Sequence, residues 1–242
     1  MKTILTATAL ALVAGGALAE AHQQTVRMGT EGASPPYNFI DDSGEVAGFE
    51  RELGDMLCEM IEVQCEWVTN DWDSIIPNLT SGNYDTIMAG MSITDERDEV
   101  IDFTQNSIPP AESIYLGMSE DADLTGGVIA AQVNTIQSAY VAESGATLLE
   151  FATPDETVAA VRNGEADAVF ADGDYLRPIA NEGDLMVVGD PVQLGGGVGM
   201  GVRESDTELK EKFDAAIGEL KANGTLNEMI VKYFGEEAAV YE

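Results

Sequence analysis

The sequence predicts an α/β fold with two lobes, and two observations support this prediction. Amphipathic helical stretches alternate with short apolar strands, an order typical of α/β folds with mostly parallel sheets. In addition, SGNYDTIMAG (81–90) and NGEADAVFAD (163–172) share a helix-ending glycine, an aspartate three residues later and a short apolar strand. This internal echo indicates two lobes built in the same way, although a G-x-x-D before a strand is also a common αβ connection.

The elements follow in order along the chain. TVRMG is predicted to be a buried strand, and GFERELGDMLCEMIEV to be a helix with one apolar face. We then predict a strand at CEWVT, a helix in NDWDSIIPNLTSG that ends at Gly82, and a strand at YDTIMAGM. After the second echo come a strand at LMVVG and two helices, DTELKEKFDAAIGELKANG and TLNEMIVKYFG. The glycine-rich LGGGVGMGVR (194–203) lacks the context of a dinucleotide site, so we predict a flexible crossing between the lobes.

The charge of the chain excludes two classes of partner. Asp and Glu number 44 against 11 Lys and Arg, which gives a formal net charge of −33. Nucleic acids and anionic membranes are bound through basic surface, so neither is expected as a partner. The excess of acid fits an exported protein adapted to saline water, or solubility by self-repulsion alone.

The N-terminus has the pattern of an export signal. Lys2 precedes the apolar stretch ILTATALALVAGG, and the small residues ALA at 17–19 form a cleavage site. We therefore predict a signal peptide at 1–19, although cleavage after Ala21 also fits. No later stretch approaches the ~18 apolar residues of a membrane span, so we expect a mature protein in the periplasm.

Cysteine and histidine usage argues against catalysis and metal binding. Cys58 and Cys65 are the two cysteines, and in an oxidising compartment such a pair is expected to form a disulfide. The alternatives, a redox or metal site, are disfavoured because the spacing is not that of a CxxC pair and no histidine is near. The only histidine is His22. We predict no catalytic residue, no metal site and no cofactor.

Arg97 is the most informative candidate residue, because it is a scarce cation in AGMSITDER. Its guanidinium can donate two N–H groups to one carboxylate, and Ser92 lies just before it on a strand-to-helix turn. A small anionic ligand would fit this cradle. The alternative is an ion pair with Asp95 or Glu99 on the protein surface.

Three further residues have a binding interpretation and a structural one. Asp172 ends an apolar strand, at the place equivalent to Gly90 in the echo, and could receive an ammonium group or cap the next helix. Trp72 could offer a flat face to a ligand or belong to the core. Glu31 could pair with a cationic ligand or cap a loop.

Together these motifs resemble a known family over essentially the whole mature chain. GTEGASPPYNF, NDWDSIIPNLTSGNYDTIMAGMSITDER, NTIQ and NGEADAVFAD are similar to segments of the periplasmic solute-binding proteins of polar amino-acid ABC importers, which include histidine-binding and lysine/arginine/ornithine-binding proteins. The resemblance implies the type II periplasmic-binding-protein fold, with two lobes joined by two hinge strands. Its expected bounds are 22–108 and 194–242 for lobe 1, 113–190 for lobe 2, and hinge crossings near 109–112 and 191–194.

The resemblance also implies roles for individual residues. Arg97 would hold the α-carboxylate of an amino acid beside Ser92, and Asp172 would take its α-ammonium group with help from the Gly90 carbonyl. The other expected binding residues are Thr135 and Gln137 in the NTIQ turn, Trp72 as one wall of the side-chain pocket, and Glu31 and Glu50 facing a distal cation. Ser34 stands where the family often has an aromatic residue, which leaves the second wall open.

The function implied is capture of an L-amino acid, with a basic or extended polar side chain favoured, for delivery to an ABC permease in the inner membrane. We expect a monomer. An opine, another zwitterionic derivative or an osmolyte is an alternative ligand. Alternatives from other classes are a cyclohexadienyl dehydratase-like enzyme and an extracellular sensor domain. The sequence shows no kinase segment and no transmembrane helix, which argues against the sensor domain.

Overall fold

The computed structural model describes residues 24–242, so the predicted signal peptide at 1–19 and His22 lie outside the described residues. Within them, no helix is long and apolar enough to cross a membrane. The strands are β1 (Thr25–Thr30), β2 (Ala33–Ser34), β3 (Asn38–Ile40), β4 (Val46–Ala47), β5 (Gln64–Thr69), β6 (Thr86–Ile87), β7 (Asp102–Phe103), β8 (Glu112–Gly117), β9 (Val128–Gln132), β10 (Thr147–Phe151), β11 (Ala168–Asp172), β12 (Met186–Gln193) and β13 (Gly201–Val202). The helices are α1 (Phe49–Met60), α2 (Ile75–Thr80), α3 (Asp95–Asp98), α4 (Ile136–Ser144), α5 (Pro154–Arg162), α6 (Gly173–Ala180), α7 (Thr207–Ala222) and α8 (Thr225–Phe234).

The strands form two five-stranded sheets of matching topology, and a small sheet of β2, β3 and β4. The first sheet has the order β5-β1-β6-β13-β7 and the second the order β10-β9-β11-β8-β12. In each sheet two strand pairs are parallel and two are antiparallel. The expectation of mostly parallel sheets was wrong, because β8 and β13 run against their neighbours.

The two echo segments take equivalent places in the two sheets. β6 lies between the parallel β1 and the antiparallel β13, and β11 lies between the parallel β9 and the antiparallel β8. Gly90 follows β6 and Asp172 ends β11, so each lies at the carboxyl end of a central strand. This arrangement supports the repeat that the echo indicated, whereas the lobe bounds and hinge crossings remain a prediction.

α1 lies where the sequence predicted a helix, but two other segments differ from their predictions. The predicted helix at 48–63 is α1, whose Phe49, Leu53 and Leu57 are fully buried against the first sheet and against α7 and α8. The segment predicted as a strand at 84–91 pairs only over β6 and continues as an irregular chain towards the cleft. In the glycine-rich segment 194–203, residues 194–200 are irregular apart from bridges of Val198 to Ser92 and Ile108, and β13 follows at Gly201.

A disulfide joins α1 to β5, as predicted. Cys58 and Cys65 are bonded at an S–S distance of 2.00 Å, and they are seven residues apart. Closing so short a loop stabilises a protein chiefly by restricting the unfolded chain, and the effect is about 2.5 kcal/mol for this length.

We expect the double variant Cys58→Ala/Cys65→Ala to lose about 2–3 kcal/mol of unfolding free energy and to keep its ligand affinity, because the bond lies away from the cleft. Urea unfolding with and without a thiol reductant measures this. The reductant should destabilise the wild-type protein and leave the variant unchanged. Equal stability of the wild type in both conditions would contradict the prediction.

Candidate ligand-binding site

One cleft lies between the carboxyl ends of the central strands of the two sheets. About 610 Å³ of space in and around it is free of protein atoms, a volume that includes the open mouth of the cleft. The residues that line it are Glu31, Ser34, Tyr37, Trp72, Ala89, Gly90, Ser92, Arg97, Gln132, Thr135, Ile136, Gln137, Pro154, Thr157, Phe170, Ala171, Asp172 and Tyr175. Nine of the ten residues expected to bind ligand are therefore brought together here, and Glu50 is not.

Arg97 lies in the short helix α3, and its position is set by local hydrogen bonds. The Thr94 hydroxyl accepts the Arg97 backbone N–H at 3.2 Å. The guanidinium donates through Nη1 to the Ser92 carbonyl at 2.8 Å and through Nη2 to the Asn134 carbonyl at 3.1 Å, and its carbon lies 5.4 Å from the centre of the Trp72 ring. Arg97 thus reaches from the first sheet to the turn after β9 in the second.

Arg97 is one of the few cations in residues 24–242 that form no ion pair with an acid. Lys2 apart, ten Lys and Arg remain in residues 24–242, and seven of them form ion pairs. Arg97 forms none within that range, which rules out the surface ion pair with Asp95 or Glu99 in this structure. Burial lowers the pKa of Arg97 to about 10, so the guanidinium is still a cation at neutral pH.

Asp172 ends β11 and is held by Gln137. The Gln137 side chain, which is 4% exposed, donates through Nε2 to Asp172 Oδ1 at 2.9 Å and to the Ser113 hydroxyl at 3.0 Å. Asp172 occupies the N-cap position of α6, but its side chain makes no capping hydrogen bond. Burial and the neighbouring Asp174 raise the pKa of Asp172 to about 6. An incoming cation would stabilise the ionised form of this carboxylate.

Glu31 lies after β1, and its two oxygens accept hydrogen bonds from opposite sides of the cleft. The Ser34 hydroxyl donates to Oε2 at 3.2 Å, and Gln132 Nε2 donates to Oε1 at 2.6 Å. Burial raises the pKa of Glu31 to about 7 despite these donors. Ser34 thus places a hydroxyl on Glu31 at the position where the resemblance led us to expect an open wall.

Glu50 was expected to face a ligand cation, but the structure places it outside the cleft. Its side chain is 1% exposed and does not line the cleft. Oε1 accepts the Gly90 backbone N–H at 2.8 Å and Oε2 accepts Asn38 Nδ2 at 2.7 Å. Glu50 therefore fixes the positions of Gly90 and Asn38 from behind the wall of the cleft. Gly90 takes a positive φ of 62°, a backbone conformation that glycine adopts without strain.

The segment 132–137 contacts all three charged residues of the cleft. Gln132 donates to Glu31, the Asn134 carbonyl accepts from Arg97, and Gln137 donates to Asp172. Asn134 takes a positive φ of 58°, a conformation that asparagine tolerates. Thr135 caps α4 by accepting the Ser138 N–H at 3.1 Å, so the N-terminus of α4, which favours anions, opens onto the same space as Arg97.

Several lining residues were not among the sequence candidates. Tyr37 and Tyr175 are buried aromatic residues of the wall, and the Tyr37 hydroxyl donates to Asp174 across the cleft at 3.1 Å. Gln132 was also missed. Its place as the last residue of a strand next to the NTIQ turn was the available signal, since ligands of such sheets lie beyond the carboxyl ends of strands.

A cleft between two matched α/β units, lined by charged groups from both, defines a class of protein that encloses a small charged ligand. Residues 26–236 match the sequence profile of the bacterial extracellular solute-binding proteins, family 3. The chain belongs to this family, as the motifs indicated, and it has the two-lobed type II periplasmic-binding-protein fold.

Known relatives agree with this assignment. The L-arginine-binding protein of Pseudomonas aeruginosa is 35% identical over 251 residues, which cover 97% of each chain. The lysine/arginine/ornithine-binding periplasmic protein of Escherichia coli strain K12 is 31% identical, over 87% of this chain and 88% of that one. A crystal structure of a periplasmic His/Glu/Gln/Arg/opine family-binding protein from Silicibacter pomeroyi in complex with lysine is 73% identical, with a TM-score of 0.88 over 89% of this chain and 100% of that one.

Proposed function

We propose that this protein captures an L-amino acid with a cationic side chain and delivers it to an ABC permease. The observation that carries the proposal is the set of charges in one cleft: Arg97 without an acidic partner, and the carboxylates of Asp172 and Glu31. A basic amino acid carries the complementary set, which is one carboxylate and two cations. The lysine in the structure that is 73% identical supports this choice.

Each charged group of the ligand has a partner in this scheme. The α-carboxylate would accept two N–H groups from Arg97 at the N-terminus of α4. The α-ammonium group would donate to Asp172, which Gln137 already orients. The side-chain cation would reach Glu31, whose oxygens are presented by Ser34 and Gln132.

Charge balance favours a cationic side chain over a neutral one. With all three groups ionised, the cleft carries a net charge of −1, and an amino acid with a basic side chain carries +1. A neutral amino acid would leave Glu31 without a counter-ion in a half-buried position, where an uncompensated charge is costly. Glu31 would then have to bind a proton.

Ligand capture would couple to movement of the lobes about the predicted crossings at 109–112 and 191–194. Arg97 and Glu31 belong to the first sheet, and Asp172 and the segment 132–137 to the second. A ligand that contacts both sets stabilises the closed arrangement, because it adds contacts that the open one lacks. We propose that the closed monomer, in the periplasm, is the form that docks on the permease.

The direct test is a thermal-shift screen of ligand-stripped protein with ~1 mM lysine, arginine or ornithine, and with norleucine and glutamine for comparison. A ligand at about 1,000 times its dissociation constant adds roughly 4 kcal/mol of apparent stability. We expect a large shift with the basic amino acids and a smaller one with norleucine. Silence of all of them would refute the proposal, and turnover of prephenate or arogenate would instead indicate the dehydratase class.

The affinity for lysine should fall as the pH is lowered. A cationic ligand needs ionised Glu31 and Asp172, whose pKa values are raised to about 7 and about 6, so protons compete with the ligand below those values. We expect weaker lysine binding below about pH 7, by up to tenfold per pH unit for each group. Norleucine needs ionised Asp172 but a protonated Glu31, so its affinity should not fall as the pH drops through about 7 and should weaken only below about pH 6. Titration calorimetry from about pH 8 to about pH 5 measures both, and identical pH profiles for the two ligands would contradict the assignment of Glu31.

A further inference from the structure

Gln132, the last residue of β9, lies across the cleft from Glu31 and has a determined orientation. Its Nε2 donates to Glu31 Oε1 at 2.6 Å and also to the Ala152 carbonyl at 3.0 Å. Both partners are acceptors, so the opposite orientation of the amide would set its oxygen against two other oxygens. The amide group is therefore built to donate to Glu31.

This hydrogen bond joins the two lobes. Glu31 follows β1 of the first sheet, and Gln132 ends β9 of the second. The bond exists only when the lobes are in contact, in contrast to the hydrogen bond from Ser34, which comes from the same lobe as Glu31. Gln132 therefore donates to Glu31 only when the lobes are closed, whereas Ser34 can donate in either arrangement.

We propose that Gln132 is a specificity-determining residue that makes recognition of a cationic side chain depend on contact between the lobes, by presenting Glu31 as an ionised acceptor. The inference rests on the proposed function and deepens it. It assigns preference for a cation to the Gln132–Glu31 pair, where Glu31 alone would otherwise suffice.

The charges around Glu31 explain why a donor is needed there. Burial is the main cause that raises the pKa of Glu31, and the carboxylates of Asp71 and Asp155 act in the same direction. The hydrogen bonds from Gln132 and Ser34 oppose them. The other titratable groups that interact with Glu31 are Glu50 behind the wall and Tyr175 on α6. Without Gln132, Glu31 would hold a proton more firmly and would lose its attraction for a ligand cation.

Lysine and norleucine test this directly, because norleucine is lysine without the side-chain ammonium group. Calorimetry at about pH 7 with the wild type and with Gln132→Met, which keeps the length and removes the amide, should show a loss of about tenfold or more in the preference for lysine. The affinity for norleucine should be little changed. The pH below which lysine binding weakens should also move upward in the variant.

Controls separate this role from a structural one. Gln132→Asn should behave like Gln132→Met, because its shorter amide does not reach Glu31. Gln105→Met removes a glutamine amide that donates to the Asp214 carbonyl outside the cleft and outside the predicted crossings, and it should keep the wild-type preference. An unchanged lysine-to-norleucine ratio in both Gln132 variants, or an equal loss of both ligands with no shift of the pH profile, would overturn this inference and leave the proposed function standing. A wild-type protein that does not bind lysine would overturn both.

Discussion

Replacing Arg97 by alanine should abolish most of the affinity for lysine. Among residues 24–242, Arg97 is the one cationic side chain that lines the cleft, and its guanidinium is held by the Ser92 and Asn134 carbonyls. Removing one partner of a buried, hydrogen-bonded charge pair costs about 2–5 kcal/mol. We therefore expect a loss of roughly thirtyfold to several thousandfold in affinity, which calorimetry or thermal shift would measure.

A ligand analogue identifies the group that Arg97 contacts. Cadaverine is lysine without its carboxylate, so the wild type should bind it far more weakly than lysine, and Arg97→Ala should erase most of that difference. Arg162→Ala is the matched control, because Arg162 is a surface arginine that pairs with Glu182 and Asp184. If Arg97→Ala folds normally and still prefers lysine to cadaverine as strongly as the wild type does, Arg97 is not the carboxylate clamp.

Much of the fold could be predicted from the sequence because its signals are local. The apolar face of α1 and the two echo segments are visible as periodicity and as a glycine–aspartate spacing within a dozen residues. The antiparallel entry of β8 and β13 was not predictable in this way. Those pairings join segments that are far apart in the chain, and a short apolar strand carries no mark of its direction.

A residue that stands out by its type could be predicted to lie in the cleft, whereas a residue whose place depends on distant partners could not. Arg97 is conspicuous in so acidic a chain. Glu50 is one acid among 44, and only the fold shows that Asn38 and Gly90 occupy its carboxylate. The place of Gln132 beside the NTIQ turn could mark it as a lining residue, but its contacts could not be predicted, because Glu31 and Ala152 come from distant parts of the chain.

The same contacts suggest how binding and closure are linked. The segment 132–137 contacts Glu31, Arg97 and Asp172, so the second lobe orients every charged group of the cleft through one strand-to-helix turn. A ligand that engages all three groups would hold this turn in place from the opposite side. A ligand that lacks one charge would not engage one of these three groups, so it would stabilise the closed arrangement less and that arrangement would be less populated.

Asp172→Asn should be nearly as damaging to lysine binding as loss of Arg97. The amide has the size of the carboxylate and can still accept from Gln137 through Oδ1, so the local structure should persist. It does not carry the charge that the α-ammonium group requires. We expect a loss of about 2–5 kcal/mol, which is roughly thirtyfold to several thousandfold in affinity, and disappearance of the fall in norleucine affinity below about pH 6.

The decisive comparison uses ε-aminocaproate, which is lysine without the α-ammonium group. The wild type should prefer lysine strongly, and Asp172→Asn should bind the two ligands with similar affinity, because the lost charge and the missing ammonium group are one interaction. Asp121→Asn removes the same charge from an exposed residue between β8 and β9, and it should leave the preference unchanged. If Asp172→Asn weakens both ligands equally, Asp172 acts on the cleft as a whole, and the α-ammonium group must be held elsewhere.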